Sequence, residues 1–300
     1  MRTKIFILFL LFNITFLFAQ PNQIISFSES EKSLLGQLKK NPNNLIALEE
    51  LGDLYVSVGN WSKAAEFYYK AKNEKPKVAN YHFKYGGAVG MLAKEGPKHK
   101  ALKYINLAKA SLKKAEMLDP SSWEIQWVLV EFYTQLPYLL GGSEELAWLH
   151  AKKLQRLSAI NGHFAKAYLY KADNNFENAK KSSINGLNLI SNLNCVKNSL
   201  RKNLSCIPHN NNLNYFVGIA YNSYADQPEL AINFLNNYIE NYSLKDSFSL
   251  DKVYYDLSQI YEKNKNINMA IICLDKAVKI NPKFKIAISK KEQILERNER

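Results

Sequence analysis

Five histidines are the residues of this 300-residue sequence best suited to metal binding or acid–base chemistry. None of them has the short spacing that places two imidazoles on one helix face, as in HExxH zinc sites. A lone histidine on a helix is more often a packing residue than a metal ligand. The positions are His82, His99, His150, His163 and His209. We therefore predict no metal site and no histidine-dependent catalysis.

A glycine cluster, Gly86, Gly87 and Gly90, raises the question of phosphate binding. Phosphate loops follow a strand and end in Lys-Ser or Lys-Thr, because backbone N–H groups and a lysine must converge on the phosphates. Both features are missing here, so close approach of two helices is the preferred interpretation. Since no other catalytic constellation is found, the sequence predicts a non-enzymatic protein without a cofactor.

The three cysteines are too few for a disulfide scaffold, so stability must come from packing. Cys195 and Cys206 lie in an Asn-rich insert, residues 190–213. In an oxidising compartment they could form a disulfide worth about 2–4 kcal/mol against the unfolded chain. Two reduced, inert thiols are an equal alternative. Cys273 is left over and is expected to be a small apolar filler.

The N-terminus has the pattern of a secretory signal peptide. Arg2 and Lys4 precede a 14-residue apolar stretch, residues 5–18, and the expected cleavage point is near Ala19. A membrane-spanning helix needs roughly 20 residues, although an uncleaved anchor is the alternative. We expect an exported chain that is periplasmic, on the cell surface or extracellular.

The chain is basic, with 40 Lys and Arg against 27 Asp and Glu and a net charge of +13. Loss of the leader removes two bases and no acid, which leaves +11. Export makes nucleic acid an unlikely partner and favours acidic proteins or peripheral contact with an anionic envelope surface. Nearly all the bases are lysines, a bias that AT-rich coding produces without selection for binding. We give that second explanation the larger weight.

The architecture follows from composition and an internal period. With 47% hydrophobic and 22% charged residues, the chain can bury a core, which excludes disorder and a polytopic membrane protein. Residues 45–77 and 251–283 carry the same large and small apolar residues at the same spacings. Apolar residues recur there at i, i+3 or i+4, and i+7. Each copy is therefore predicted to be a pair of amphipathic helices.

Small residues mark the places where two helix backbones approach closely. In the first copy these are Gly52, Ala64 and Ala71, while Gly59 permits the turn and Pro76 ends the second helix. Large residues fill the adjacent volume. They are Leu48, Leu51, Tyr55 and Tyr68.

This residue set resembles the tetratricopeptide repeat, a helix-turn-helix unit of about 34 residues. Less regular copies between the two clear ones bring the total to about six. The resemblance implies an all-α fold, a right-handed α-solenoid with polar capping helices at its ends. The predicted organisation is a signal peptide at 1–19, an N-terminal segment with a capping helix at 20–44, repeats one to four at 45–189, the Asn-rich insert at 190–213, repeats five and six at 214–284, and a C-terminal capping helix at 285–300.

The resemblance also implies that the first helix of each repeat lines a concave groove that binds a protein or peptide segment. The residue three before the Gly52 position should face this groove, and five of the six such residues are aromatic. They are Glu49, Phe83, Trp127, Phe164, Tyr215 and Tyr255. Protein interfaces favour aromatic anchors, which bury much area with few rotatable bonds. The alternative is that these rings pack on the next repeat.

One helical turn further on, the groove is predicted to be mixed in polarity. The residues there are Asp53, Gly87, Glu131, Tyr168, Ile219 and Gln259. A groove that clamps a C-terminal carboxylate uses Lys, Arg and Asn on these helices. The candidates for that role are scattered and form no clear clamp. They are Asn80, Lys171, Asn222 and Lys252.

The sequence thus favours a non-enzymatic scaffold or adaptor that holds a protein or peptide partner. The alternative, from another class, is an envelope module that binds an anionic polymer or glycan through stacked aromatics and surface lysines. Ionic strength separates them, because polyanion binding weakens steeply with salt and aromatic burial does not. Neither the partner nor the oligomeric state follows from the repeat pattern.

Overall fold

A computed structural model describes residues 19–193, 211–243 and 246–298, and these ranges are almost entirely helical. The predicted all-α repeat fold is confirmed: the described ranges contain six helix pairs, with one further helix before them and one after. In the described part of the chain, no helix combines the length and hydropathy needed to cross a bilayer. The leader and the cysteine pair Cys195 and Cys206 lie outside the described residues.

The contacts group the chain into two compact units, residues 1–118 (unit 1) and 119–300 (unit 2). The repeat pattern predicts one continuous array of helix pairs. A repeat pattern encodes contacts between neighbouring helices and carries no signal for a division of this kind. Each unit has its own core.

Unit 1 contains a flanking helix followed by two helix pairs. The helices are α1 (Ala19–Lys40), α2 (Leu45–Ser57), α3 (Trp61–Glu74), α4 (Ala79–Glu95) and α5 (Ala101–Leu118). The predicted small residues Ala64 and Ala71 are fully buried, as are Leu48, Leu51 and, in the second pair, Ala108. The helices of this core therefore pack against each other at the small residues that the sequence predicts.

Helix α1 covers the end of the first pair and spans most of the segment, residues 20–44, in which a capping helix is predicted. Its Leu34 is buried, and the ring of Phe27 meets the ring of Tyr55 edge-on at 5.9 Å between centroids. The Glu31 carboxylate accepts a hydrogen bond from the Tyr55 hydroxyl, to which Lys63 also donates at 3.0 Å. Both apolar and polar contacts therefore hold the flanking helix.

Unit 2 contains four helix pairs and a final flanking helix. The helices are α6 (Trp123–Gln135), α7 (Glu144–Leu157), α8 (Ala159–Ala172), α9 (Phe176–Ser191), α10 (Asn211–Ala220), α11 (Pro228–Glu240), α12 (Leu250–Lys263), α13 (Ile267–Ile280) and α14 (Lys285–Asn298). A π-helical turn, Tyr221–Ala225, extends α10. In α14, Ala287 and Ile294 are buried against Ala270 and Leu274 of α13, so this helix covers the last apolar face.

Three of the turns within helix pairs share one chemistry. One residue adopts the left-handed conformation, and the next is an Asn whose side chain accepts a backbone N–H of the following helix at 3.1–3.2 Å. The left-handed residues are Gly59 (φ 68°), Asn174 (φ 57°) and Lys265 (φ 60°), followed by Asn60, Asn175 and Asn266. The predicted role of Gly59 in the turn is confirmed.

Replacing Gly52 with Ala should destabilise unit 1. A Cβ atom there would lie 2.2 Å from the buried Tyr68 ring, whose hydroxyl is bonded to Asp53. We expect Gly52→Ala to lower the free energy of unfolding by about 1–3 kcal/mol in urea denaturation followed by circular dichroism. Gly87→Ala is the matched control, because a Cβ at Gly87 meets nothing within 4 Å. It should gain up to about 1 kcal/mol of helix propensity. Equal stability of the two variants would contradict this packing.

The link between α12 and α14 should depend on pH. Glu262 accepts a hydrogen bond from Arg297 and lies 2.8 Å from Lys290. Burial favours the neutral acid, but these bonds and charges outweigh it and hold the pKa of Glu262 below its ordinary value of 4.5. A depressed pKa stabilises the folded state above the unfolded pKa, and this stabilisation is lost as pH falls through the folded pKa.

We therefore expect Glu262→Gln to lower the free energy of unfolding by about 1 kcal/mol at pH 7 and by less at pH 3. Urea denaturation at the two pH values measures this. Glu296→Gln, on the exposed side of α14, is the control and should change neither value. A destabilisation by Glu262→Gln that is the same at both pH values would show that the charge of Glu262 is not what holds α14.

Candidate partner-binding faces

The first helices of the two pairs in unit 1, α2 and α4, present a polar surface that we call the unit 1 face. It consists of Glu49, Asp53, Asn80, Phe83, Lys84 and Gly87. The Lys84 ammonium lies 2.7 Å from a carboxylate oxygen of Glu49 and 2.7 Å from one of Asp53. The Asn80 amide donates to Glu49 at 2.8 Å. The predicted groove residues Glu49 and Asp53 are thus brought together on one surface.

Hydrogen bonds fix the geometry of this face. Burial opposes the charged form of Lys84, but its bonds to Asp53 and Glu49 outweigh this and raise its pKa. Tyr68 donates to Asp53 at 2.5 Å, and burial, followed by that carboxylate, raises the pKa of Tyr68 far above its ordinary value. The face thus brings together the carboxylates of Glu49 and Asp53 and the ammonium of Lys84, and Asp53 is exposed to solvent.

Open space lies beside the third predicted residue of this face. Phe83 is half-buried, and Gly87, one turn further along α4, leaves room in which a Cβ would meet no atom within 4 Å. Gly86 behaves differently, since a Cβ there would lie 2.9 Å from the Leu112 side chain. Of the glycine cluster, Gly86 serves the close helix approach that the sequence predicts, and Gly87 leaves the unit 1 face uncovered.

In unit 2, three of the rings predicted to contact a partner are buried. Trp127 and Phe164 are 1% exposed and Tyr215 is 7% exposed. The Phe164 ring points towards α9, because Gly186 has no side chain and a Cβ there would lie 2.7 Å from the ring. The structure therefore places these three side chains in packing contacts rather than on an open groove surface.

A ring absent from our predictions lies at the centre of this arrangement. Phe216 of α10 packs edge-on against Trp127 of α6 at 5.4 Å and against Tyr168 of α8 at 6.1 Å between centroids. Tyr215, Tyr238 and Phe248 complete the group, which we call the inner cluster. It joins first helices that are two repeats apart and so fills the space between them.

The remaining predicted residues border this cluster or lie beyond it. Glu131 accepts hydrogen bonds from the Trp127 indole at 3.3 Å and from the Ser247 hydroxyl at 2.9 Å. The half-buried Tyr168 accepts a bond from the Gln135 amide at 3.4 Å. Tyr255, also half-buried, packs on Phe284 at 5.5 Å between ring centroids.

The two histidines whose rings have described hydrogen-bond partners, His82 and His150, take part in packing. A ring nitrogen of His82 lies 2.9 Å from the carbonyl oxygen of Pro76, and His150 bonds to Gln126 at 2.8 Å while stacking on Tyr133. Within the described ranges, no group of three or more His, Cys, Asp or Glu side chains could hold a metal ion. Burial raises the pKa of the Cys273 thiol to about 11, so it is protonated at neutral pH.

Sequence reasoning missed three residues that matter here, and each left a signal. Lys84 directly follows the predicted Phe83, and Phe216 directly follows the predicted Tyr215. Phe248 lies in a linker of nine residues, 241–249, where three other linkers have four residues. An unusually long linker that carries an aromatic residue is a cue for a segment that packs on the repeats.

A tetratricopeptide repeat family model matches residues 251–284. No curated protein matches the chain in sequence. The fold is similar to that of a chain in the APC/C hetero-tetramer Cut9–Hcn1, with a TM-score of 0.56 and 16% identity over 90% of this chain. This chain spans only 46% of that one.

A second similar structure is a tetratricopeptide repeat protein from Parabacteroides merdae ATCC 43184. Its TM-score is 0.51 and its identity 14%, with 90% of this chain and 92% of that chain covered. Because both sequence identities are low, the two similarities show only that the folds are alike.

The inner cluster should contribute strongly to the stability of unit 2. We expect Phe216→Ala to lower the free energy of unfolding by about 2–3 kcal/mol, because it leaves a cavity beside Trp127. Loss of the neighbouring ring should also shift tryptophan emission to longer wavelength. Phe176→Ala is the matched control, since Phe176 is 62% exposed and its truncation should cost little. An unchanged emission spectrum for Phe216→Ala would contradict the Trp127 contact.

Proposed function

Because the chain is a tetratricopeptide repeat protein, we propose that it is a non-enzymatic scaffold, exported from the cytoplasm, that holds a protein or peptide partner on the unit 1 face. Repeats of this fold commonly serve as protein-interaction scaffolds. The leader pattern of residues 1–19 supports export. The observation that carries the binding proposal is the open, hydrogen-bonded surface formed by Glu49, Asp53 and Lys84 beside Phe83.

The chemistry of this face favours one class of partner. Two carboxylates against one ammonium give the face a net negative charge, although the whole chain is basic. A peptide with a Lys or Arg side chain could pair with the exposed Asp53, and an apolar side chain could fill the space above Gly87 next to Phe83. An anionic polymer would be repelled at this face, so the peptide partner is preferred over a polyanion.

Gly87→Trp tests the proposal. The new side chain would enter open space and leave the helix core untouched, so the fold should persist while the face is blocked. The chain from residue 20 onward is used to capture partners from crosslinked envelope extract, and bound proteins are identified by mass spectrometry. We expect a partner held by the unmodified chain to be reduced at least about tenfold by Gly87→Trp, as for the loss of roughly 1.4 kcal/mol.

Gly87→Ala is the control and should retain the partner, because it adds no bulk above the face. Equal capture by all three proteins, each equally helical by circular dichroism, would remove the unit 1 face from function. If the captured material is instead an anionic polymer, and its binding is lost between low and high salt, the result would favour the polyanion class of partner. Export is tested separately, by fractionation of producing cells and by the mass of the mature N-terminus.

A further inference from the structure

The linker between α11 and α12 is longer than the repeat pattern requires. Residues 241–249 connect these helices, whereas 75–78, 119–122 and 281–284 suffice for three other connections. Within the long linker, residues 246–248 lie against α6, α10 and α11 through the contacts described below. We call these three residues, Asp246, Ser247 and Phe248, the docked segment. All three are only partly buried.

The ring of Phe248 occupies a place between aromatic side chains. It stacks on Tyr215 with 3.7 Å between centroids and 19° between planes. Phe216 approaches it edge-on at 5.3 Å, and Tyr238 at 6.4 Å. One ring stacks on the face of Phe248 and two rings meet it edge-on. A site of this shape, with these ring quadrupoles, suits an aromatic side chain.

The backbone of the docked segment is recognised as well. The Tyr238 hydroxyl donates to the carbonyl oxygen of Phe248 at 2.6 Å, and the Phe248 N–H donates back to that hydroxyl at 3.1 Å. The Ser247 N–H donates to the side-chain oxygen of Asn212 at 2.9 Å. These bonds use main-chain groups, which every peptide carries, so they set the path of a chain rather than its sequence.

The Ser247 hydroxyl adds selectivity. It donates to Glu131 at 2.9 Å and accepts from the Asn212 amide at 3.0 Å. Glu131 lies on α6, 116 residues before Ser247 in the chain. A residue without a hydroxyl would leave this carboxylate with one partner fewer in a partly buried setting, which is costly.

From these contacts we propose that the inner face of unit 2 is a binding site for a short peptide that carries a small hydroxyl residue followed by an aromatic residue, and that the docked segment is its intramolecular occupant. The ring site selects the aromatic residue, Glu131 and Asn212 select the hydroxyl, and Tyr238 holds the backbone between them. The site lies in unit 2 and is independent of the partner proposed for the unit 1 face.

Competition between the two occupants follows from the linker. A short tether holds the docked segment at an effective concentration in the millimolar range, so a peptide from another molecule binds weakly while the segment is in place. Weakening the segment frees the site and lowers the apparent dissociation constant of the competing peptide.

The test uses a fluorescently labelled synthetic peptide with the sequence of residues 241–250 and measures its anisotropy with the full chain. We expect Phe248→Ala to bind the peptide at least about tenfold more tightly than the unmodified chain. Ser247→Ala, a milder change that keeps the ring, should give a smaller gain. A peptide in which the Phe is replaced by Ala should not bind either variant.

Two further variants distinguish a binding site from general loosening. Phe284→Ala removes an aromatic residue of a four-residue linker that packs on Tyr255, and it should bind the peptide no better than the unmodified chain. The double variant Tyr238→Phe and Phe248→Ala keeps the aromatic ring at position 238 but removes its hydroxyl. It should therefore lose the gain in peptide affinity that Phe248→Ala alone produces.

Equal affinity of the unmodified chain and Phe248→Ala would overturn the proposal. Equal gains in Phe248→Ala and Phe284→Ala would also overturn it, because the effect would then be unspecific. If both Phe248→Ala and Ser247→Ala lose their helical circular dichroism, the docked segment is part of the core of unit 2 and the site does not exist.

Discussion

Each helix pair depends on close approach of two backbones at a residue of minimal size. Gly52 receives the Tyr68 ring, Gly186 receives the Phe164 ring, and Gly218 receives the Leu235 side chain. A Cβ at any of these glycines would lie within 2.8 Å of its neighbour, closer than packed atoms tolerate. The small residue thus decides where the large one goes, and this decides which side chains remain to face solvent. The accessible surface of the chain is a consequence of the packing at these crossings.

That dependence explains why equivalent repeat positions have different fates. Phe83 and Phe164 occupy the same place in the repeat pattern, yet Phe83 is half-buried beside open space and Phe164 is enclosed. The difference comes from Gly186, which opens a volume for the Phe164 ring on the neighbouring helix. A position in a repeat therefore has no fixed role, and the residue on the facing helix determines whether a ring packs or stays accessible.

Sequence reasoning succeeded where interactions are local. The small residues, the turn at Gly59 and the second helices follow from spacing alone, because they depend on residues within one repeat. It failed for Phe216, whose contact with Trp127 joins repeats that are not neighbours and depends on how helices far apart in sequence converge. It also failed for Phe248, which lies in a linker where the repeat pattern predicts no packing residue. Lys84 is intermediate: its place beside Phe83 was visible, but its pairing with both Glu49 and Asp53 required the geometry of two adjacent helices.

The contact between Trp127 and Phe216 bears on how this chain could have changed in evolution. Repeat arrays ordinarily lengthen or shorten by whole repeats, since each repeat touches only its neighbours. An added helix pair between α6 and α10 would displace these two rings by roughly 10 Å, the spacing of packed helices, and separate them. A change in the number of repeats in this stretch would therefore break the contact between Trp127 and Phe216 and also the hydrogen bond from Ser247 to Glu131 of α6.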